Sequence, residues 1–279
     1  MLLAQLSDTH VTRRDATYFG TDTTRYLRDA IDALHALAPR PDLVVVTGDL
    51  VNRGHDDEYD RFAGAMATLR IPYVAIPGNH DDRDRMRARL PPQTYGESRE
   101  SRVRFARDVR GVRLIGLDPN GTPAFPRPSF DAASLAWFER TLAERPVMPT
   151  IVCLHQPPFR TGLHYLDAFG FGGAARFRRA VRAHPNVGRV IAGHIHCTRS
   201  ASIGAALAIT APSTAPQIVP ELLERRLYGI RRERPGFALH GWDAARGFET
   251  TIYHRDDAGR YMPDGATSAV SPSRASRSA

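Results

Sequence analysis

The chain has 279 residues, 42% hydrophobic and 24% charged, which are the proportions of a globular protein. Its two cysteines, Cys153 and Cys197, exclude a disulfide-stapled scaffold, and no run reaches the ~18 apolar residues of a membrane span. The net charge of +8 comes from 38 basic residues, all arginine and scattered among acids, so a nucleic-acid partner is not expected.

The first seven residues lack the basic start of a secretory signal, which makes the cytoplasm the expected location. Residues 2–6 form a short apolar run, read as a buried strand ending at Ser7-Asp8. Leu27, Ile31 and Leu34 give residues 23–37 a helical spacing, with Asp22 or Thr23 to cap it. Residues 43–46 are a β-branched strand running into Gly48-Asp49, residues 56–69 a second helix, and residues 73–76 a strand stopped by Pro77-Gly78. This alternation predicts an α/β layered fold. Residues 83–93 read as a looser segment, and residues 102–105 and 112–117 as a hairpin around Arg110-Gly111. A helix over 132–142, a strand over 150–154 into His155, a helix over 174–183 and a strand over 187–191 into Gly193-His194 follow. Residues 203–254 read as strands and turns with a proline-rich insert at 212–220. The tail, 263–279, is rich in Ser, Ala, Pro and Arg and is expected to be disordered.

Five polar clusters stand at the C-terminal ends of strand candidates: Asp8-Thr-His10, Gly48-Asp49, Gly78-Asn79-His80-Asp81, His155 and Gly193-His194-Ile-His196. In open α/β sheets, sites form just beyond the carboxyl ends of strands. Histidine and carboxylate are ligands for divalent metals, and an asparagine carbonyl serves as well. Asp-x-His and His-x-His place both side chains on one side of an extended segment. Asp8, His10, Asp49, Asn79, His155, His194 and His196 make seven ligands, the number for two ions sharing one carboxylate. Singly, each cluster is bland: Gly-Asn is usually a turn, and His-x-His a surface pair. Jointly, each follows an apolar strand run and three are introduced by glycine.

In this order, the five clusters resemble the motifs of the calcineurin-like metallophosphoesterase superfamily, over about residues 1–200. Ser7-Asp8-Thr9-His10, Thr47-Gly48-Asp49-Leu50-Val51-Asn52, Pro77-Gly78-Asn79-His80-Asp81-Asp82 and His155-Gln-Pro157-Pro158 are similar to the bacterial class III phosphodiesterases, with cyclic-nucleotide and glycerophosphodiesterase branches. The resemblance implies a four-layer α/β/β/α sandwich over residues 1–262, with about 200–255 completing the second sheet and supplying an insert for a homodimer or higher oligomer. It implies two divalent ions, Fe, Mn, Zn or Co, one held by Asp8, His10 and His196 and one by Asn79, His155 and His194, with Asp49 bridging. It implies in-line attack of a metal-bound hydroxide on a small phosphodiester, with His80 assisting at the phosphoryl or leaving oxygen rather than ligating. A nuclease or phosphomonoesterase of the same superfamily is the alternative, and a non-catalytic metal-binding scaffold a minor one.

Two departures stand out. Gln156 replaces the second histidine of a His-His-Pro-Pro motif, putting a contact of the neighbouring ligand in doubt. Ser213-Thr-Ala-Pro216-Gln217 lacks the substrate-side histidine of some glycerophosphodiesterase-like relatives. Candidate substrate contacts are Tyr18 and Phe19 after the first motif, Asn52 after Asp49, and His164 and Tyr165 after His155. His35, His55, His184, His240 and His254 have no partner in sequence, Cys153 reads as core, and Cys197 as a residue at the rim of the site.

Overall fold

The computed structural model describes residues 1–95, 102–121, 127–169, 171–215, 217–219, 229–231, 234–256 and 259–264. Its centre is a pair of six-stranded sheets. The first contains three parallel strands, β1 (Leu2–Leu6), β2 (Leu43–Thr47) and β3 (Tyr73–Ile76). On the other side of β1 it continues antiparallel through β12 (Gly236–Asp243), β13 (Gly247–Arg255) and β14 (Tyr261–Pro263). The second runs in the order β4 (Arg104–Val109), β5 (Val112–Leu117), β6 (Thr150–Cys153), β7 (Val187–Ala192), β9 (Ala206–Thr210) and β8 (Ser200–Ile203). Residues beyond 200 therefore serve both sheets: β8 and β9 extend the second, and β12 to β14 extend the first. Pro263 ends β14, and the tail from 265 lies outside the described residues.

Strand side chains alternate between faces, and this builds the layers. In β6, Ile151 and Cys153 join the core shared with the first sheet, while Val152, and Leu154 just past the strand, join a second core under the helices. That second core is covered by α4 (Ala132–Ala143) and α6 (Ala174–Ala183), whose Phe138 and Phe177 rings stack at 5.6 Å. The far face of the first sheet is covered by α1 (Thr23–Ala36) and α2 (Asp56–Met66). In α1, Leu27, Ala30, Ile31 and Leu34 form one buried stripe, and Asp22 caps it by accepting from the Arg25 N–H. The α/β/β/α sandwich follows from these packings.

The segment that reads as loose contains a helix, α3 (Arg83–Arg89). Only Met86 is buried in it, so it carries no apolar period; the Asp82 carboxylate starts it by accepting from the Asp84 and Arg85 N–H groups. A short helix, α5 (His164–Phe169), precedes α6. Among the described residues, β10 (Gln217–Val219) and β11 (Gly229–Arg231) pair only with each other.

Candidate metal centre

Five loops bring polar residues to the carboxyl ends of β1, β2, β3, β6 and β7, the arrangement the alternating pattern predicts. Nitrogen and carboxylate atoms of Asp8, His10 and His196 lie within 4.8 Å of one another. So do those of Asp8, Asp49 and His155, and those of His10, Asp49 and His80.

The local backbone differs from the extended form the Asp-x-His spacing suggests. Asp8, His10, Asp49, His194 and His196 all have positive φ, between 41° and 72°. A left-handed residue with a Cβ costs about 1–2 kcal/mol, and persists only where its surroundings over-determine it. Here they do. The Asp8 N–H donates to the Gly48 carbonyl at 3.0 Å, the His10 N–H to that of Asp49 at 2.9 Å, and Ile195 N–H closes a three-residue turn on Gly193 at 2.9 Å. Glycine is required where the loops touch. A Cβ at Gly78 would strike the Asp49 carboxylate, and one at Gly193 the Ser7 hydroxyl.

The polarity of the site is fixed by groups that only accept. His155 Nδ1 lies 2.8 Å from the Thr47 carbonyl, so Nδ1 carries a proton and Nε2 is the nitrogen that faces the centre. That Nε2 is 3.1 Å from Asn79 Oδ1 and 3.4 Å from Asp49 Oδ2. His10 Nε2 lies 3.0 Å from His196 Nε2 and 3.6 Å from Asp49 Oδ2, and His196 Nε2 lies 3.5 Å from Asp8 Oδ1. Donor atoms about 2.1 Å from one ion stand about 3.0 Å apart on an octahedron and about 3.4 Å apart on a tetrahedron. The observed separations match those polyhedral edges, so the donor set fits divalent ions.

The electrostatics point the same way. Burial pushes the Asp8 carboxyl up and the His10 imidazole well down. His194 is pushed down to about 3 by burial and by His155. Burial also opposes the charges of Asp49 and His155, but their mutual attraction outweighs it. Asp49 is held well below the usual carboxylate range, and His155 is raised to about 9. Buried carboxylates beside imidazoles that burial holds neutral, as at His10 and His194, have the chemistry of a cation site.

His80 stands at the exposed rim. Its N–H donates to Asp49 Oδ1 at 2.9 Å, its Nδ1 donates to the Asn52 carbonyl at 2.7 Å, and its ring meets His10 edge-on at 4.7 Å. Asn52 thus orients His80 through its backbone. The Tyr18 ring stacks on His10 at 4.4 Å, and Phe19, 54% exposed, packs edge-on against Tyr18. His164 is exposed on α5, and the Tyr165 side chain lies outside the described part. Leu166 and Asp167 of the same helix line a cavity of about 110 Å³ beside His194.

Two contributions were not legible as functional. Asp81 accepts from the N–H groups of Leu50, Val51 and Gly78 and from the Tyr59 hydroxyl, clamping the β2 and β3 loops together. Gln156 donates to Asn120 Oδ1 at 2.6 Å, and Asn120 donates to the Pro77 carbonyl at 2.7 Å. The altered neighbour of His155 therefore ties its loop to that of Asn79. Asp81 sat inside a motif, which was the available signal; nothing near Gln156 in sequence names Asn120.

The family profile described as calcineurin-like phosphoesterase matches residues 1–198. The chain belongs to the calcineurin-like phosphoesterase family. Among relatives of this phosphoesterase, a probable glycerophosphodiester phosphodiesterase GpdQ from Arcobacter nitrofigilis is 27% identical over 90% of this chain and 92% of its own. The glycerophosphodiester phosphodiesterase GpdQ of Enterobacter lignolyticus is 31% identical over 78% and 79%. The 3',5'-cyclic adenosine monophosphate phosphodiesterase CpdA of Escherichia coli K12 is 29% identical over 95% and 93%. In fold, the phosphoesterase is similar to a dimetal phosphatase from Danio rerio, with a TM-score of 0.61 at 16% identity over 91% of this chain and 95% of that one.

Proposed function

We propose that this calcineurin-like phosphoesterase hydrolyses small phosphodiesters, cyclic nucleotides or glycerophosphodiesters, at a dinuclear metal centre. The observation that carries the reading is the convergence of Asp8, His10, Asp49, His155 and His196 in overlapping groups within 4.8 Å. In this reading Asp8, His10 and His196 hold one ion, Asn79, His155 and His194 the other, and Asp49 both. The donor types suit Fe, Mn, Zn or Co. When bound, the ions supply Lewis acidity and a water of lowered pKa. With Nδ1 donating to Asn52, His80 keeps Nε2 to exchange a proton with a phosphoryl or leaving oxygen. Asp49 orients His80 through its backbone N–H. Tyr18 buttresses His10, and the exposed Phe19 ring is suited to the organic part of the diester. Asn52, His164 and Tyr165 complete the candidate contacts.

The same reading places the protein in the cytoplasm as a homodimer or higher oligomer. No helix among the described residues is long and apolar enough to cross a membrane, which is compatible with that location. The β10–β11 ribbon, which pairs with no other strand among the described residues, supports the oligomer, because a two-stranded ribbon is marginally stable without a partner surface. Size-exclusion chromatography with light scattering checks it, and a monomer at micromolar concentration overturns it.

The activity is tested with bis(p-nitrophenyl) phosphate beside p-nitrophenyl phosphate, after reconstitution with Mn²⁺, Fe²⁺, Zn²⁺ or Co²⁺ in turn and with an EDTA control. Faster metal-dependent cleavage of the diester is expected. Preference for the monoester moves the reading to a phosphatase, and no cleavage with any of the four metals overturns it.

A further inference from the structure

A line of polar side chains crosses the sandwich from β7 to the Asp8 carboxylate. Arg189 on β7 donates from Nε to Thr250 Oγ1 on β13 at 3.2 Å. Thr250 Oγ1 and His240 Nδ1 on β12 are 3.0 Å apart, and His240 Nε2 lies 3.0 Å from Gln5 Oε1 on β1. Gln5 Nε2 donates to Thr47 Oγ1 at 2.8 Å and to the Ala192 carbonyl at 2.9 Å. Thr47 donates to Ser7 Oγ at 2.9 Å, and Ser7 to Asp8 Oδ2 at 2.6 Å. Gln5, Ser7, Asp8, Thr47 and His240 are all fully buried.

The direction of each bond is forced from the ends. A guanidinium only donates and a carboxylate only accepts. The Ala192 carbonyl only accepts, so Gln5 turns its amide NH₂ toward it and its carbonyl oxygen toward His240. His240 must then carry its proton on Nε2, leaving Nδ1 to accept from the Thr250 hydroxyl, which itself accepts from Arg189. Thr47, having accepted from Gln5, gives its proton to Ser7, and Ser7 gives its own to Asp8. The competing acceptors, the carbonyls of Leu6 and Thr47, are 3.4 Å away. The bonds of the line from Arg189 to Asp8 therefore all point toward Asp8, with the Gln5–Ala192 bond as a side branch, and aligned hydrogen bonds in a buried medium strengthen one another. Burial and the Arg189 charge push His240 down to about 3, which keeps it in the neutral form this order requires.

The last bond has a geometric consequence. Ser7 engages Oδ2 of Asp8, the His194 N–H touches both oxygens at 3.0 and 3.1 Å, and Oδ1 is left facing His196. We propose that His240 is a positioning residue for Asp8: through Gln5, Thr47 and Ser7 it fixes the rotation of that carboxylate and so tunes the affinity of the ion Asp8 holds. The inference rests on the assignment of Asp8 as a metal ligand.

Two measurements test it. Long-range ¹H–¹⁵N NMR of the metal-free protein reads the His240 tautomer; Nε2–H is expected, and Nδ1–H overturns the proposal. Zn²⁺ affinities of the two sites are then compared in the wild type, Asp8→Ala, His240→Phe, His240→Gln and Thr250→Val. His240→Phe is expected to weaken by roughly tenfold the site that Asp8→Ala loses, as loss of an outer partner does, and to leave the other unchanged. Glutamine at 240 can accept from Thr250 and donate to Gln5, so His240→Gln is expected to restore that affinity. If His240→Phe does not fold, the nearly isosteric Thr250→Val carries the test, with a smaller loss at the same site. Equal weakening of both sites, no weakening, or a glutamine variant as weak as the phenylalanine one overturns the proposal. If Asp8→Ala keeps both sites at wild-type affinity, the ligand assignment itself fails. If Asp8→Ala loses one site and His240→Phe loses none, only the positioning role fails.

Discussion

Replacing Asp49 with Asn keeps the shape of the side chain and an acceptor for the His80 N–H, but removes the charge at the middle of the centre. In the metal-free protein that charge is what keeps a proton on His155. Opposite unit charges 3.4 Å apart, the His155–Asp49 separation, attract by about 5 kcal/mol at an effective dielectric of ~20. Burial of the imidazole opposes this. The net rise of His155 from its ordinary 6.5 to about 9 is worth about 3 kcal/mol, at ~1.4 kcal/mol for each tenfold change. The folded pKa is raised, so this stabilisation is fully present below pH 6.5 and lost as pH rises through about 9. The metal-free wild type should therefore melt lower at pH 9.5 than at pH 6.5 by more than Asp49→Asn does, and His155 in the variant should titrate at or below 6.5. Histidine ¹⁵N titration and thermal melts of the two apoproteins measure both. Metal affinity should fall by more than the ~100-fold that loss of an outer partner brings, because Asp49 faces His10 and His155 alike. A variant whose His155 still titrates near 9, or which binds two ions as tightly as the wild type, refutes the bridging role.

Three further outcomes follow from the same geometry. His80→Ala should lower kcat by ~10²–10⁴ while two ions per chain remain bound by elemental analysis; loss of an ion would instead make His80 a ligand. Phe19 is 54% exposed and packs against Tyr18, so Phe19→Gly should raise KM for aromatic diesters. An unchanged KM removes Phe19 from the binding surface. His240 stays neutral in the fold to about pH 3 whereas the unfolded chain protonates it below about 6.5. Stability is thus lost as pH falls through that window. Between pH 7 and pH 5, urea unfolding should show the wild type losing about 2 kcal/mol more than His240→Gln, and equal losses would contradict its buried, neutral state.

What could be read in the sequence, and what could not, divides along the range of the forces involved. The five clusters were legible because each depends on a local event, an apolar strand ending in a polar loop, and the fold class followed from the order of those strands. Segment 83–89 was not, because a helix that buries only Met86 leaves no period and is announced only by its cap, Asp82. The destination of β12 was not, because an antiparallel strand can join either sheet. Pairing of Leu2 with Gly241 and of Gln5 with Ala238 settles it across more than two hundred residues. The left-handed backbone at Asp8 and Asp49 was not, since it is imposed by contacts between loops rather than by the residues themselves. His240 shows the limit most clearly. In sequence it is one histidine in an apolar strand, and the partner that gives it a direction, Gln5, lies 235 residues away. In the proposed reading, the identities of the groups that meet an ion are written locally, while the angle at which they meet it depends on polar chains that run across the sheets. A sequence with every ligand in place could therefore still build a weak centre if one distant partner, such as Gln5, were apolar.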